Sequence, residues 1–195
     1  MNRLAVVWAL LVLTVAAAAQ RVAPEAQAEQ KFTSGGSIQM RLAPGDYTIL
    51  GTNTDHIRIA YHPIDSSTGP VKVDLQATGS QASLRVRHTA HNFHADIEVP
   101  THCDLFVRLG VGDLKVQGVA GNKDIETHVG DLNVDVRRPE DYQHVDASVG
   151  IGDLAAPAFN VNKDGFVRSF HRQGQGLYRL HLHVGVGDLR MYETD

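Results

Sequence analysis

The sequence predicts an all-β protein: a single-domain, β-solenoid-like stack of short strands joined by Gly-Asp turns. Three observations predict this class. Apolar residues alternate with polar ones over short runs, a Gly-Asp-Leu tripeptide occurs four times, and the alternation changes phase at each copy. An antiparallel β-sandwich is the alternative, because hairpins at a similar spacing would give the same alternation.

Period-2 alternation is a strand signal because successive side chains of a strand point to opposite faces of its sheet. The runs are short and bounded by Gly, Pro, Asn and Asp, and no segment after residue 19 holds a helical apolar period of useful length. The alternating residues are Ile38, Met40 and Leu42; Ile57, Ile59 and Tyr61; Val71, Val73 and Leu75; Leu84 and Val86; and Ile97 and Val99.

The tripeptide repeat lies in the second half of the chain. Successive Asp positions are separated by 18, 22 and 35 residues, and the first two separations suit one supersecondary unit per repeat. The third separation includes residues 155–176, which are rich in Gly, Pro and Asn and predict one further coil with an insertion. The copies are Gly112-Asp113-Leu114, Gly130-Asp131-Leu132, Gly152-Asp153-Leu154 and Gly187-Asp188-Leu189.

The phase change gives each tripeptide a predicted structural role. An apolar residue lies two positions before each Asp and a Leu follows it, as with Val111 and Leu114. A straight strand would turn one of the two outward, so we expect a bend that keeps both inside. Glycine can adopt the positive φ of such a bend, and Asp can accept nearby backbone N–H bonds. If coils stack, the strands that begin at Leu114 and Leu132 should pair in parallel.

Three segments are expected along the chain. Residues 1–19 predict an export signal, because Arg3 precedes an apolar run that ends in Ala17-Ala18-Ala19. Residues 20–34 are polar and predict a linker, and residues 35–195 predict the β-repeat domain. We therefore expect an exported protein of the periplasm or cell surface, with no membrane span after signal cleavage.

Composition excludes some functions. The formal net charge is −4 with no basic run, so neither nucleic acid nor an anionic membrane surface is an expected partner. Cys103 is the only cysteine, so no internal disulfide can form. Its apolar neighbours predict a buried, inert thiol.

Several runs resemble the DUF4097 family, whose bacterial members are described as "putative adhesins". The resemblance covers about residues 35 to 192 and implies a repetitive β-fold in an envelope or surface setting. It implies no catalytic residue. The runs that carry it are Asp96-Ile97-Glu98-Val99-Pro100, Leu105-Phe106-Val107, residues 112–118, residues 125–134, Gly176-Leu177-Tyr178 and residues 187–191; Pro44-Gly45-Asp46 echoes the repeat without its Leu.

Two sets of residues are candidates for metal chemistry. Asp113, Asp131, Asp153 and Asp188 would line up along one edge of a stack, where they would either cap turns or hold Ca²⁺. The 11 histidines include His88, His91 and His94, which could converge on zinc in a loop. His181 and His183 share one strand face and are expected to point to solvent. Turn capping and surface histidine are the favoured interpretations.

We therefore assign no catalytic, cofactor-binding or metal-binding residue and no cofactor. No nucleophile elbow, phosphate loop or HExxH motif occurs. The expected function is a non-enzymatic binding or scaffold module at the cell envelope, with a glycan or protein partner. The alternative is a polysaccharide-active enzyme on the same kind of face, which would show converging carboxylates in a cleft.

Overall fold

The computed structural model describes residues 26–61, 71–89, 92–163 and 166–194, which fold into two mixed β-sheets. In spatial order the nine-stranded sheet contains β1 (Ala26–Lys31), β4 (His56–Tyr61), β7 (His94–Pro100), β3 (Asp46–Thr52), β9 (Leu114–Gln117), β11 (Leu132–Asp135), β17 (Leu189–Tyr192), β13 (Leu154–Ala156) and β14 (Val161–Lys163). The eight-stranded sheet contains β15 (Phe166–Gln173), β12 (Tyr142–Ile151), β16 (Tyr178–Val186), β10 (Lys123–Val129), β8 (Asp104–Val111), β2 (Ser37–Leu42), β6 (Gln81–Arg87) and β5 (Lys72–Thr78).

The two sheets are joined by corners that repeat along the stack. At each Gly-Asp-Leu tripeptide the chain leaves the eight-stranded sheet and enters the nine-stranded sheet, and Pro44-Gly45-Asp46 makes a fifth corner between β2 and β3. The β9 and β11 strands pair in parallel, with Leu114 opposite Leu132. This pairing confirms the solenoid-like stack over the antiparallel sandwich.

The coils do not stack in chain order. The last coil, β16 and β17, lies between β10 and β11 on one side and β12 and β13 on the other. A 3-10 helix (Pro157–Phe159) follows β13, and strands β14 and β15 pair antiparallel with β13 and β12. The predicted insertion therefore closes one end of the stack, and β1, β4 and the β5–β6 hairpin close the other. A second 3-10 helix spans Pro139–Asp141.

Apolar side chains from both sheets form one core. Most of the alternating residues are buried, as predicted: Ile38, Met40, Leu42, Ile57, Ile59, Leu84, Val86, Ile97 and Val99. The others, Tyr61, Val71, Val73 and Leu75, are only partly buried, because they lie in or beside strands at or next to one end of the stack. The Leu of every tripeptide is buried as well. Cys103 is 2% exposed, which confirms the buried thiol. Within the described residues, no helical segment has the length and apolar character needed to cross a bilayer.

One sequence expectation about the corners is wrong. The apolar residue two positions before each Asp does not lie inside: Val111, Val129, Ile151 and Val186 are 49%, 45%, 50% and 44% exposed. The chain already turns outward after the preceding buried residue, such as Leu109, and returns to the core only at the Leu. These four side chains instead lie beside one another on adjacent strands, as an outer stripe along the corners.

The predicted linker over residues 20–34 also needs correction. Residues 26–31 form β1, which pairs antiparallel with β4, and Phe32 is buried. This strand is polar and is held at the sheet edge by backbone hydrogen bonds rather than by buried side chains. Its sequence therefore lacks the apolar alternation from which a strand is predicted. The predicted export signal, residues 1–19, lies outside the described residues.

Candidate functional site

The aspartates of the corners form a hydrogen-bonded ladder. The Oδ1 of Asp46 accepts the Asp113 backbone N–H at 3.1 Å, and each further step is 2.9 Å long, from Asp113 to Asp131, Asp188 and Asp153. The backbone N–H groups of the neighbouring coils therefore occupy one oxygen of each accepting carboxylate. The aspartates therefore cap corners, but the N–H groups that they accept belong to the neighbouring coil and not, as the sequence had suggested, to the same bend. The ladder includes Asp46, whose corner has Tyr47 in the place of Leu.

Glycine is required at these corners for two reasons. Gly112 has a φ of +122° and Gly130 one of +127°, in the region that side chains rarely adopt. A Cβ on Gly130 would also overlap the carbonyl oxygen of Gly112 in the coil beside it. The close approach lets the coils stack at the spacing of paired strands.

A different surface carries a dense array of charged and hydrogen-bonding side chains. It is the outer face of the eight-stranded sheet, here called the polar face, and its residues lie in register across adjacent strands. One row runs Gln76, Ser83, Gln39, Phe106, Asp124, His181, Asp146 and His171. The next row runs Asp74, Arg85, Arg41, Arg108, Glu126, His183 and Ser148.

The centre of the polar face holds a cluster that the sequence spacing did not reveal. Single donor atoms of Asp124, Glu126 and His181 all lie within 4.8 Å of one another. The Arg108 guanidinium bridges both carboxylates, at 2.9 Å from Asp124 Oδ1 and 3.2 Å from Glu126 Oε1. A divalent cation would have to displace this guanidinium, so the cluster is at present an ion-pair network.

Histidines continue this network across the sheet. His181 and His183 point to solvent, as predicted, while Leu180, Leu182 and Val184 are buried. The Asp146 carboxylate lies between two imidazoles, 3.2 Å from His171 Nδ1 and 3.9 Å from His181 Nδ1. His183 Nδ1 lies 2.9 Å from the Ser148 hydroxyl. The face is therefore dense in groups that can donate or accept hydrogen bonds.

The zinc hypothesis for His88, His91 and His94 receives no geometric support. His91 lies outside the described residues. His88 ends a strand with a φ of +59°, and His94 Nε2 lies 3.5 Å from Asp96. In the described part of the chain, the only group of metal-ligating side chains that converges is Asp124, Glu126 and His181.

Two of the open grooves among the described residues lie on the polar face. The larger, of about 530 Å³, is lined in part by Phe106, Asp124, Arg179 and His181. The smaller, of about 310 Å³, is lined in part by Gln39, Arg41, Ser83 and Arg85. Both are shallow surface features, which suits an extended ligand better than an enclosed small molecule.

A polar cluster also lies inside the core. Lys123 is 1% exposed and donates from Nζ to the Tyr142 hydroxyl at 2.5 Å. Burial lowers the pKa of Lys123 to about 8, against the opposing effect of the Asp135 carboxylate. Burial raises the pKa of the Cys103 thiol to about 12, so this cysteine is not a nucleophile. Lys123 occupies an inward position of β10, in which buried and outer residues alternate. That position in the alternation is the only sequence signal from which its burial could have been predicted.

Comparisons with known proteins agree with the fold. No family model matches the chain, and no curated protein matches it in sequence. A solved structure of a putative cell adhesion protein from Clostridium sporogenes has a TM-score of 0.54 at 11% identity, over 88% of this chain and 100% of that chain. Putative adhesins from Bacteroides fragilis and Parabacteroides merdae, also 11% identical, cover 87% of this chain and 97% and 96% of their own, with TM-scores of 0.27 and 0.26. The first likeness shows a shared fold, and the other two are too weak to show one.

Proposed function

We propose that the protein is an exported, non-enzymatic binding module at the cell envelope, of the adhesin-like kind, and that it binds through the polar face. The observation that carries this proposal is the continuous two-row array of hydrogen-bonding and charged side chains across the eight-stranded sheet. A rigid stack of paired strands holds these groups at fixed spacings, which lowers the entropy lost on binding.

Two further points support the proposal. The similar fold of the Clostridium sporogenes protein, whose description is cell adhesion, agrees with a surface role. The runs described in the sequence also resemble the DUF4097 family, and we propose that the chain is a member of it. Export through residues 1–19 belongs to the same proposal.

Blocking one face at a time tests which surface binds. Because Cys103 is buried, a large maleimide polymer will react only with a cysteine placed on the surface. His183→Cys places it on the polar face, and Lys115→Cys places it on the outer face of the other sheet; both positions are exposed. We expect the polymer on His183→Cys to abolish retention of the protein on immobilised envelope polysaccharide, and the polymer on Lys115→Cys to leave it unchanged. Equal retention for the two labelled proteins would refute the assignment.

The second candidate function is a polysaccharide-active enzyme, favoured by the close approach of Asp124 and Glu126. Glycosidases place two carboxylates on either side of the scissile bond. Here Arg108 occupies the space between them, and the site is open to solvent. Release of reducing ends from a polysaccharide, lost in both Asp124→Asn and Glu126→Gln, would favour the enzyme and contradict the binding module.

A further inference from the structure

Three arginines stand in a line on the polar face. Arg41 lies directly opposite Arg85 on one side and Arg108 on the other, in parallel strands that are about 4.8 Å apart. Like charges at directly opposed positions of paired strands are destabilising. Such an arrangement therefore needs counter-charges, either from the protein or from a ligand.

Only one of the three arginines obtains them from the protein. Arg108 pairs with Asp124 and Glu126. Neither Arg41 nor Arg85 forms an ion pair or a side-chain hydrogen bond with any other described residue, although Asp74 lies opposite Arg85 in the next strand. The Asp74 carboxylate instead accepts a hydrogen bond from Gln76 Nε2 at 3.0 Å. Two neighbouring guanidinium groups are thus exposed without an ion pair among the described residues, and Asp74 is the one carboxylate that lines their groove, in a chain whose net charge is −4.

The surroundings of the arginine pair add neutral hydrogen-bonding groups. The groove of about 310 Å³ that holds Arg41 and Arg85 is also lined by Gln39, Ser83 and Gln76. Their amides and hydroxyl can both donate and accept hydrogen bonds. Phe106 lies opposite Gln39 in the adjacent strand, lines the larger groove and is 38% exposed, so its ring offers an apolar surface next to the arginine groove.

We propose that this groove binds an acidic polysaccharide, with Arg41 and Arg85 holding a carboxylate or sulfate group; the inference rests on the proposed binding function and names its ligand class. A guanidinium fork matches the two oxygens of such an anion. The Gln and Ser side chains would bond sugar hydroxyls, and the apolar C–H face of a sugar ring would pack on Phe106. The Asp74 carboxylate can only accept hydrogen bonds, and sugar hydroxyl groups can donate them.

The same features favour a polysaccharide over an anionic lipid headgroup. A membrane surface is recognised by clusters of four to eight basic residues or by an amphipathic helix. The groove supplies only two unpaired arginines, together with amide and hydroxyl side chains and the adjoining ring of Phe106, which a lipid headgroup would leave without a partner. The ligand is therefore expected to be extended along the rows, across the strands.

Calorimetric titration with defined polymers tests the inference. Polygalacturonate carries carboxylates, dextran sulfate carries sulfates, and dextran is the neutral control. We expect binding to at least one acidic polymer, no binding to dextran, and weaker binding as the salt concentration rises. Arg41→Gln with Arg85→Gln should lower the affinity about tenfold or more, since both charge-assisted contacts to the anion are lost. The matched control, Lys115→Gln with Arg190→Gln, removes the same charge from the outer face of the other sheet and should change it less than about twofold.

The outcomes separate this inference from the proposed function. An equal effect of the two double variants, or no binding to either acidic polymer, would overturn the arginine site. If retention on envelope polysaccharide were nonetheless blocked by polymer at His183→Cys, the binding module would stand without it. Binding to phosphatidylglycerol vesicles but to neither acidic polymer would overturn the polysaccharide in favour of a lipid. Equal melting temperatures for the two double variants would exclude misfolding as the cause.

Discussion

At the scale of single residues, the corner glycines give the sharpest prediction. Gly130 combines a φ of +127° with a neighbouring carbonyl oxygen in the space a Cβ would need, whereas a Cβ on Gly110 meets nothing within 4 Å. We expect Gly130→Ala to lower the free energy of unfolding by about 3 kcal/mol or more, and Gly110→Ala to change it by less than about 1 kcal/mol. Urea denaturation measures both, and similar losses for the two variants would contradict the corner geometry.

Lys123 gives a prediction about pH. Its pKa is about 8 in the folded protein and about 10.4 in an unfolded chain, so between these values only the unfolded state holds the proton. Stability contributed by Lys123 should therefore rise with pH in this window. Relative to Lys123→Met, the wild type should gain about 2 kcal/mol in unfolding free energy between pH 7 and 9.5.

The comparison with Lys123→Met is needed because Cys103 acts in the opposite direction. Its pKa of about 12 in the fold means that the unfolded chain loses the thiol proton first, and stability falls as the pH rises above about 8.5. Cys103 is present in both proteins, so its contribution largely cancels in the difference. If the difference in unfolding free energy between the two proteins stayed constant from pH 7 to 9.5, the pKa of Lys123 would not be lowered in the folded protein.

The sequence predicted residues well where burial follows a period of two. The Leu of each corner and most of the alternating strand residues lie in the core as expected, whereas those of the end strand β5 are only partly buried. The burial predicted for Val111 and its three counterparts was wrong. Alternation carries no information about the residue at which the chain leaves the strand direction within a corner. Arg41 and Arg85 are 44 positions apart in sequence, so their proximity depends on strand pairing that no local pattern encodes.

At the scale of elements, the aspartate ladder is a set of repeated caps between adjacent coils. Removing one acceptor from the middle, by Asp131→Ala, should cost about 1 kcal/mol in unfolding free energy, because the Asp188 N–H then bonds only to water. Asp131→Asn should recover most of this loss, since its amide oxygen can accept the same bond. Asp55→Ala is the matched control, because that side chain is 85% exposed and contacts only His56.

The result of this comparison also bears on calcium. If the ladder only caps turns, thermal unfolding of the wild type should be unaffected by millimolar Ca²⁺. A rise in melting temperature with Ca²⁺ that disappears in Asp131→Asn would mean that the carboxylates hold the ion between coils. Turn capping would then be an incomplete account of the ladder.

At the element scale, the sequence predicted the coils but not their order. The spacing of the tripeptides indicated successive coils, and parallel pairing of β9 with β11 confirms it. The position of β16 and β17 inside the stack could not be predicted, because all four tripeptides present the same Leu-x-apolar strand to either neighbour. Identical registers fit equally well in several orders, and the antiparallel strands β14 and β15, which cover β13 and β12, decide which coil ends the stack.

At the scale of the whole molecule, the interior position of the last coil makes the C-terminus essential. Leu189 pairs with both Leu132 and Leu154, so residues 178–192 join the two halves of each sheet. A protein ending at residue 177 should show no cooperative thermal unfolding near the wild-type temperature, whereas one ending at Tyr192 should lose little. Native-like melting of the shorter protein would mean that β10 and β12 can pair directly.

That arrangement has a consequence for an incomplete chain. In a chain that stops at residue 177, β10 and β12 are both present, yet β16, the strand that hydrogen-bonds to each of them, is missing. Two bare sheet edges of this kind can pair with any extended peptide nearby, including another truncated copy. Because β16 covers both edges at once, we expect a chain cut short by nonsense mutation or proteolysis to aggregate or to be degraded.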